Sequence, residues 1–141
     1  MEQFIQQFFS ESHLLMWLKL ASLIFLAVLF LQSGFDKVTD REGNVSWLKG
    51  HFAQTPFKNM VPLMVTIVTL MEIAAGGLCA VGTVTYAFFH NASIGILGVM
   101  LSIKTLLLLF AGQRIAKDYP GAATLASYFL LCLFVLYLFT L

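Results

Sequence analysis

Four long apolar stretches divide this chain, separated by short clusters of charge, proline and turn-forming residues. A hydrocarbon core of about 30 Å needs roughly 20 helical residues. The pattern therefore predicts membrane-spanning helices over about 14–35, 60–89, 92–111 and 119–141. The first ends at Asp36, Lys37, Asp40, Arg41 and Glu42, and the second carries Pro62 in its early turns and Glu72 as its one charge. Residues 73–103 hold no charged side chain, too long a run for one crossing, so the chain must reverse near His90 and Asn91. The third span carries Lys104. The fourth begins behind Asp118 with Pro120 just inside it, a helix N-terminal arrangement. In the first loop Trp47, Leu48, His51 and Phe52 share one helical face between the turn signals Gly43-Asn44 and Thr55-Pro56, which predicts a short interfacial helix. Ahead of the first span, Phe4, Ile5, Phe8 and Phe9 recur at helical spacing against Gln6, Gln7, Ser10 and Glu11, as in a surface-lying amphipathic segment or a frayed tail. Glu2 and Glu11 stand where a cleaved signal would be basic, so the first helix is expected to be retained.

The fold class expected is all-α, an integral membrane four-helix bundle forming one domain over residues 1–141. Composition removes the alternatives. With 60% apolar and 11% charged residues, a mean hydropathy of +0.89 and a net charge of +1, the chain has neither a water-compatible surface nor a basic patch for nucleic acid. Cys79 and Cys132 lie in apolar runs without C-x-x-C spacing and read as packing residues. His13, His51 and His90 fall in separate segments, so no metal, haem or flavin site is expected. Lys37, Arg41, Lys49, Lys58, Arg114 and Lys117 lie toward one face, and Lys19 toward the other. The positive-inside rule then places both termini on the non-cytoplasmic side.

Charges at membrane depth are the first places to look for chemistry, because each costs at least ~2.5 kcal/mol on insertion scales. Glu72 lies 12 residues beyond Met60, about 18 Å along the helix and near the midplane. Thr69, Gly76, Cys79 and Thr83 share its face, which should look into the bundle. Lys104 leans toward its own N-terminus and so points deeper rather than back to the nearer surface. Three arrangements stay open for Glu72: an ion pair with Lys104, a neutral protonated acid, or a bridge through water or ligand. Gly95, Gly98 and Ser102 lie opposite Lys104 and form a close-packing surface. Phe30, Ser33, Gly34 and Lys37 share a face at the end of the first span, and Gly121, Thr124, Tyr128 and Cys132 line a stripe on the fourth. Trp47 reads either as a headgroup-level anchor or as a ligand contact. The candidate ligand-binding set is Lys37, Glu72, Lys104, Tyr128, Trp47, His51, Gln113 and Arg114, a polar pocket opening toward the basic loops and suited to an amphipathic ligand. The alternative is a bundle held by interhelical hydrogen bonds with no ligand. No catalytic residue is assigned.

The segments GFDKVTD, MEIAAGGLCAVG and GQRIAKDYPGAA, in that order across the spans, resemble the DoxX-like family of small bacterial membrane proteins. The resemblance covers about Leu20 to Leu138, with the family's G-x-x-K on Gly34 and Lys37 and its acid and glycines on Glu72, Gly76 and Gly77. It implies a four-helix bundle in the bacterial inner membrane, loosely similar in architecture to vitamin K epoxide reductase. Members have been linked to quinone-coupled thiosulfate oxidation, to oxidoreductase complexes in oxidative-stress defence and, among distant animal relatives, to receptor assembly. The missing C-x-x-C separates this chain from the reductase branch. The function expected is a quinone- or lipid-binding accessory subunit of a membrane redox complex, without covalent cofactor or metal, with a redox partner protein or a second copy as neighbour. A scaffold or assembly factor gripping its partner through Gly95 or Gly98 is the alternative, and a dimeric proton-coupled small-molecule transporter is a further one.

Overall fold

In the computed structural model, which describes all 141 residues, every apolar stretch is a helix. The elements are α1 (Glu2–Phe8), α2 (Glu11–Thr39), α3 (Arg41–His51), α4 (Val61–Phe89), α5 (Ser93–Ile115) and α6 (Tyr119–Leu138). Helices α2, α4, α5 and α6 are each long and apolar enough to cross a bilayer, and they pack as an antiparallel bundle. The chain is an integral membrane protein of four spans. Both termini and the His90 turn lie at one end of the bundle, and the basic loops lie at the other.

The helices differ from the sequence expectation mainly at their ends. Helix α2 does not stop at Phe35 but continues through Asp36 and Lys37 to Thr39, with the Asp40 amide still bonded to the Asp36 carbonyl at 3.0 Å. Charge alone does not break a helix, and Lys37 faces inward. Helix α5 extends four residues past Ala111 to Ile115. It ends in a left-handed turn at Lys117 (φ 61°), where the Asp118 amide bonds to the Gln113 carbonyl and the Lys117 amide to the Arg114 carbonyl. The short helix α3 begins before Gly43-Asn44 rather than after it. Asp40 caps α3, its carboxylate accepting from the Gly43 amide at 3.3 Å, so those turn-prone residues form its first turn. Helix α1 is helical throughout and leaves Phe4, Ile5, Phe8 and Phe9 exposed.

The packed interior is narrow, centred on Leu23, Leu26, Phe30, Cys79, Val99 and Val135. Ile24, Leu70 and Leu130 face outward, which in a bilayer puts them against acyl chains at no penalty. Both cysteines are free and buried, as packing residues should be. Glycines set how closely the helices approach. A Cβ on Gly98 would sit 2.8 Å from both the amide nitrogen and Sγ of Cys79, and one on Gly82 would run into the backbone of Gly95. Helices α4 and α5 therefore touch almost backbone to backbone. This buries Gly95, Gly98 and Ser102 inside the chain. The expectation that Gly95 or Gly98 grips a partner protein is corrected accordingly, since α4 of the same chain already occupies that face.

Candidate functional site

The contact between α2 and α4 brings the polar residues together. A Cβ on Gly34 would collide with the Ile73 side chain at 2.6 Å, and one on Gly76 would lie 2.8 Å from the Leu31 amide nitrogen. With both positions bare, the helices close up, and the residues one turn beyond Gly34 face Glu72. Lys37 Nζ stands 2.9 Å from Glu72 Oε2 and donates to Oε1 at 3.3 Å. Ser33 Oγ donates to the same Oε1 at 2.9 Å and accepts from Lys37 Nζ at 2.9 Å. The Glu72 side chain is 2% exposed and that of Lys37 is 17% exposed. Each charge offsets the desolvation of the other.

All four spans line a cavity of about 190 Å³ at this triad, with Tyr128 from α6 and Gln113 from α5 completing its polar wall. Gln113 Oε1 is buried without a donor. Toward the basic loops lies a larger, mainly apolar groove of about 410 Å³, in the size range of small-molecule sites. Trp47, Leu48 and Phe52 roof it, while Val65 and Val68 of α4 and Gly112 of α5 form part of its floor. The two cavities share Lys37, Leu109 and Gln113. A charged pair with net charge zero thus stands where a polar chamber meets an apolar one.

The roof is bonded to α4 at one end and approaches the start of α6 at the other. Arg41 donates to the Pro62 carbonyl at 3.2 Å and to Thr66 Oγ1 at 2.8 Å, fixing the start of α3 to α4. At its other end His51 Nε2 lies 3.9 Å from Asp118 Oδ2, and the Trp47 ring packs on His51 with centroids 3.8 Å apart. Asp118 also caps α6, accepting from the Gly121 amide at 3.2 Å.

Of the candidate residues, Lys37, Glu72, Tyr128 and Gln113 meet at the inner cavity, Trp47 lines the groove, and His51 lines neither cavity but packs on the Trp47 ring. Two do not join them. Lys104 is exposed on the outer face of α5 and lines neither cavity, so the Glu72–Lys104 ion pair considered from the sequence is replaced by Glu72–Lys37. The reason is rotational: Gly98 and Ser102 are buried, and Lys104 lies on the opposite side of the helix from them. Arg114 turns away to stack on Tyr119, its guanidinium carbon 4.5 Å from the ring centroid.

The sequence reading left out Ser33 as a site residue, and Asp118 as the partner of His51. It also missed a buried lysine. Lys19, 9% exposed at the far end of the bundle, lies 5.7 Å from the Tyr86 ring centroid and 5.2 Å from that of Phe139. Ser33 shares its helical face with Lys37, four residues away, and that spacing was the available signal. No three His, Cys, Asp or Glu side chains are grouped closely enough to hold a metal ion. Comparison with known protein families, curated proteins and solved structures finds no match to this chain.

Proposed function

We propose that this protein binds an uncharged amphipathic molecule of the quinone type, as an accessory subunit of a membrane redox complex. The head would lie against Lys37, Glu72, Gln113 and Tyr128, and the isoprenoid-like tail would run in the groove beneath α3. The observation carrying this reading is the junction of the polar and apolar cavities at Lys37, Leu109 and Gln113. The charge balance of the site favours an uncharged head, because Glu72 would repel a phosphate as strongly as Lys37 attracts it. The donors available are the Lys37 ammonium, the Tyr128 hydroxyl and the Gln113 amide, which suit quinone carbonyls. Gln113 Oε1 lacks a donor and suits a hydroxyl of the reduced form. This chain's residues would supply binding and proton contacts, and electrons would come from a partner. The resemblance to DoxX-like proteins supports the redox setting, and the positive-inside rule would open the groove toward the cytoplasmic leaflet.

A side chain grown into the groove tests this. A Cβ on Gly112 meets no backbone and makes an ordinary 3.6 Å contact with Phe52 Cζ, so Gly112→Leu projects its side chain into the groove. Wild-type protein purified in mild detergent is expected to yield stoichiometric quinone on solvent extraction and mass spectrometry. Gly112→Leu should lose most of it while still unfolding in one cooperative transition. An extract without stoichiometric quinone, or equal amounts from both proteins, would end the proposal. A stoichiometric neutral lipid in its place would keep the pocket and remove the quinone.

A further inference from the structure

Lys104 is the central residue of α5, eleven residues from Ser93 and eleven from Ile115. Each interval is about 16 Å of helix, roughly half the thickness of a hydrocarbon core. Its ammonium therefore stands near the bilayer midplane. The side chain leans toward Ser93, and from the middle of the span it cannot snorkel to either headgroup layer. It makes no hydrogen bond or ion pair within the chain. Around it on the outer face are Leu97, Met100, Leu107 and Leu108, all exposed. An ammonium surrounded by acyl chains at this depth is among the most expensive arrangements a span can present, and such residues normally pair with another protein group.

We infer that this stripe of α5 is a docking surface for a transmembrane helix of another protein, one carrying an Asp or Glu at mid-bilayer depth. Charge complementarity selects that occupant. A second copy of this chain has no acid to offer there. Glu72 is the only carboxylate deep within the spans, and it is buried against Lys37. Two copies meeting on this stripe would also set ammonium against ammonium. Lipid phosphates lie about half a bilayer away. A partner carboxylate would meet Lys104 in a low-dielectric setting, flanked by leucines that pack between the helices.

Photocrosslinking in native membranes tests the surface directly. A photoreactive residue is placed at Met100 or Leu107, with Leu130 on α6 as the lipid-facing control, and the crosslinked peptide is identified by mass spectrometry. The expected product from Met100 and Leu107, but not from Leu130, is a single apolar segment of another protein with an Asp or Glu near its middle. Its yield should fall about tenfold in Lys104→Leu and be retained in Lys104→Arg. Detergent-purified Lys104→Leu should melt no lower than wild type, which separates lost docking from lost folding. Lys104→Met serves the same purpose if the leucine variant is poorly produced. Crosslinks only to lipid, to a second copy of this chain or to a segment without an acid would overturn the inference. So would a yield unaffected by Lys104→Leu, or one that Lys104→Arg fails to retain.

Discussion

Lys37→Leu is expected to cost about 3–5 kcal/mol of stability, the penalty for leaving one partner of a buried ion pair uncompensated. Glu72 is 2% exposed, and no other cation is placed to replace Lys37. Lys104 faces outward and Lys19 lies at the far end of the bundle. Ser33 would remain as a donor, and one hydroxyl does not neutralise a carboxylate. The double variant Lys37→Leu/Glu72→Leu should recover most of the loss, because replacing both members of a buried pair with apolar residues is often neutral or stabilising. Reversible unfolding in mixed micelles of wild type, both single variants and the double variant closes the cycle. Losses that simply add would show that the two charges are not coupled.

The helix contacts yield the second large effect. Gly76 and Gly77 are neighbours in sequence with opposite surroundings. A Cβ on Gly76 meets the Leu31 backbone at 2.8 Å, whereas one on Gly77 has nothing within 4 Å. Gly76→Ala is expected to cost about 1–3 kcal/mol as α2 and α4 are forced apart, and Gly98→Ala to cost as much through the Cys79 backbone. Gly77→Ala should stay within about 0.5 kcal/mol of wild type. The same unfolding measurement ranks the three. Equal losses at Gly76 and Gly77 would show that helix flexibility, and not close approach, is what these glycines provide. Gly76→Ala should also weaken ligand retention, because separating α2 from α4 pulls Lys37 away from Glu72.

The spans and the inward direction of Glu72 were legible in the sequence, because apolar run length and a polar stripe at helical spacing are local signals. The helix ends were less so. A charged cluster reads as a surface, yet Lys37 continues α2 inward because its partner lies on α4, 35 residues away. The Glu72–Lys104 pairing failed for a reason already visible along α5. If Gly95, Gly98 and Ser102 pack closely on a neighbour, Lys104 must face away from it, and that neighbour proved to be α4, which carries Glu72. Which helix neighbours which is tertiary information, and no periodicity encodes it. The apolar groove was equally hidden, since residues such as Val65 and Val68 look like ordinary lipid-facing or core positions until α3 folds over them. His51 and Asp118 lie 67 positions apart, and their approach depends on the left-handed turn at Lys117 that starts α6.

The most direct test of a ligand held between the ion pair and the groove is native mass spectrometry of the protein released straight from membrane vesicles. Wild type should appear carrying one amphipathic molecule of defined mass, and Lys37→Leu/Glu72→Leu, folded but without the polar head site, should appear bare. A bare wild-type protein, or the same adduct on both, would contradict a ligand held by Lys37 and Glu72.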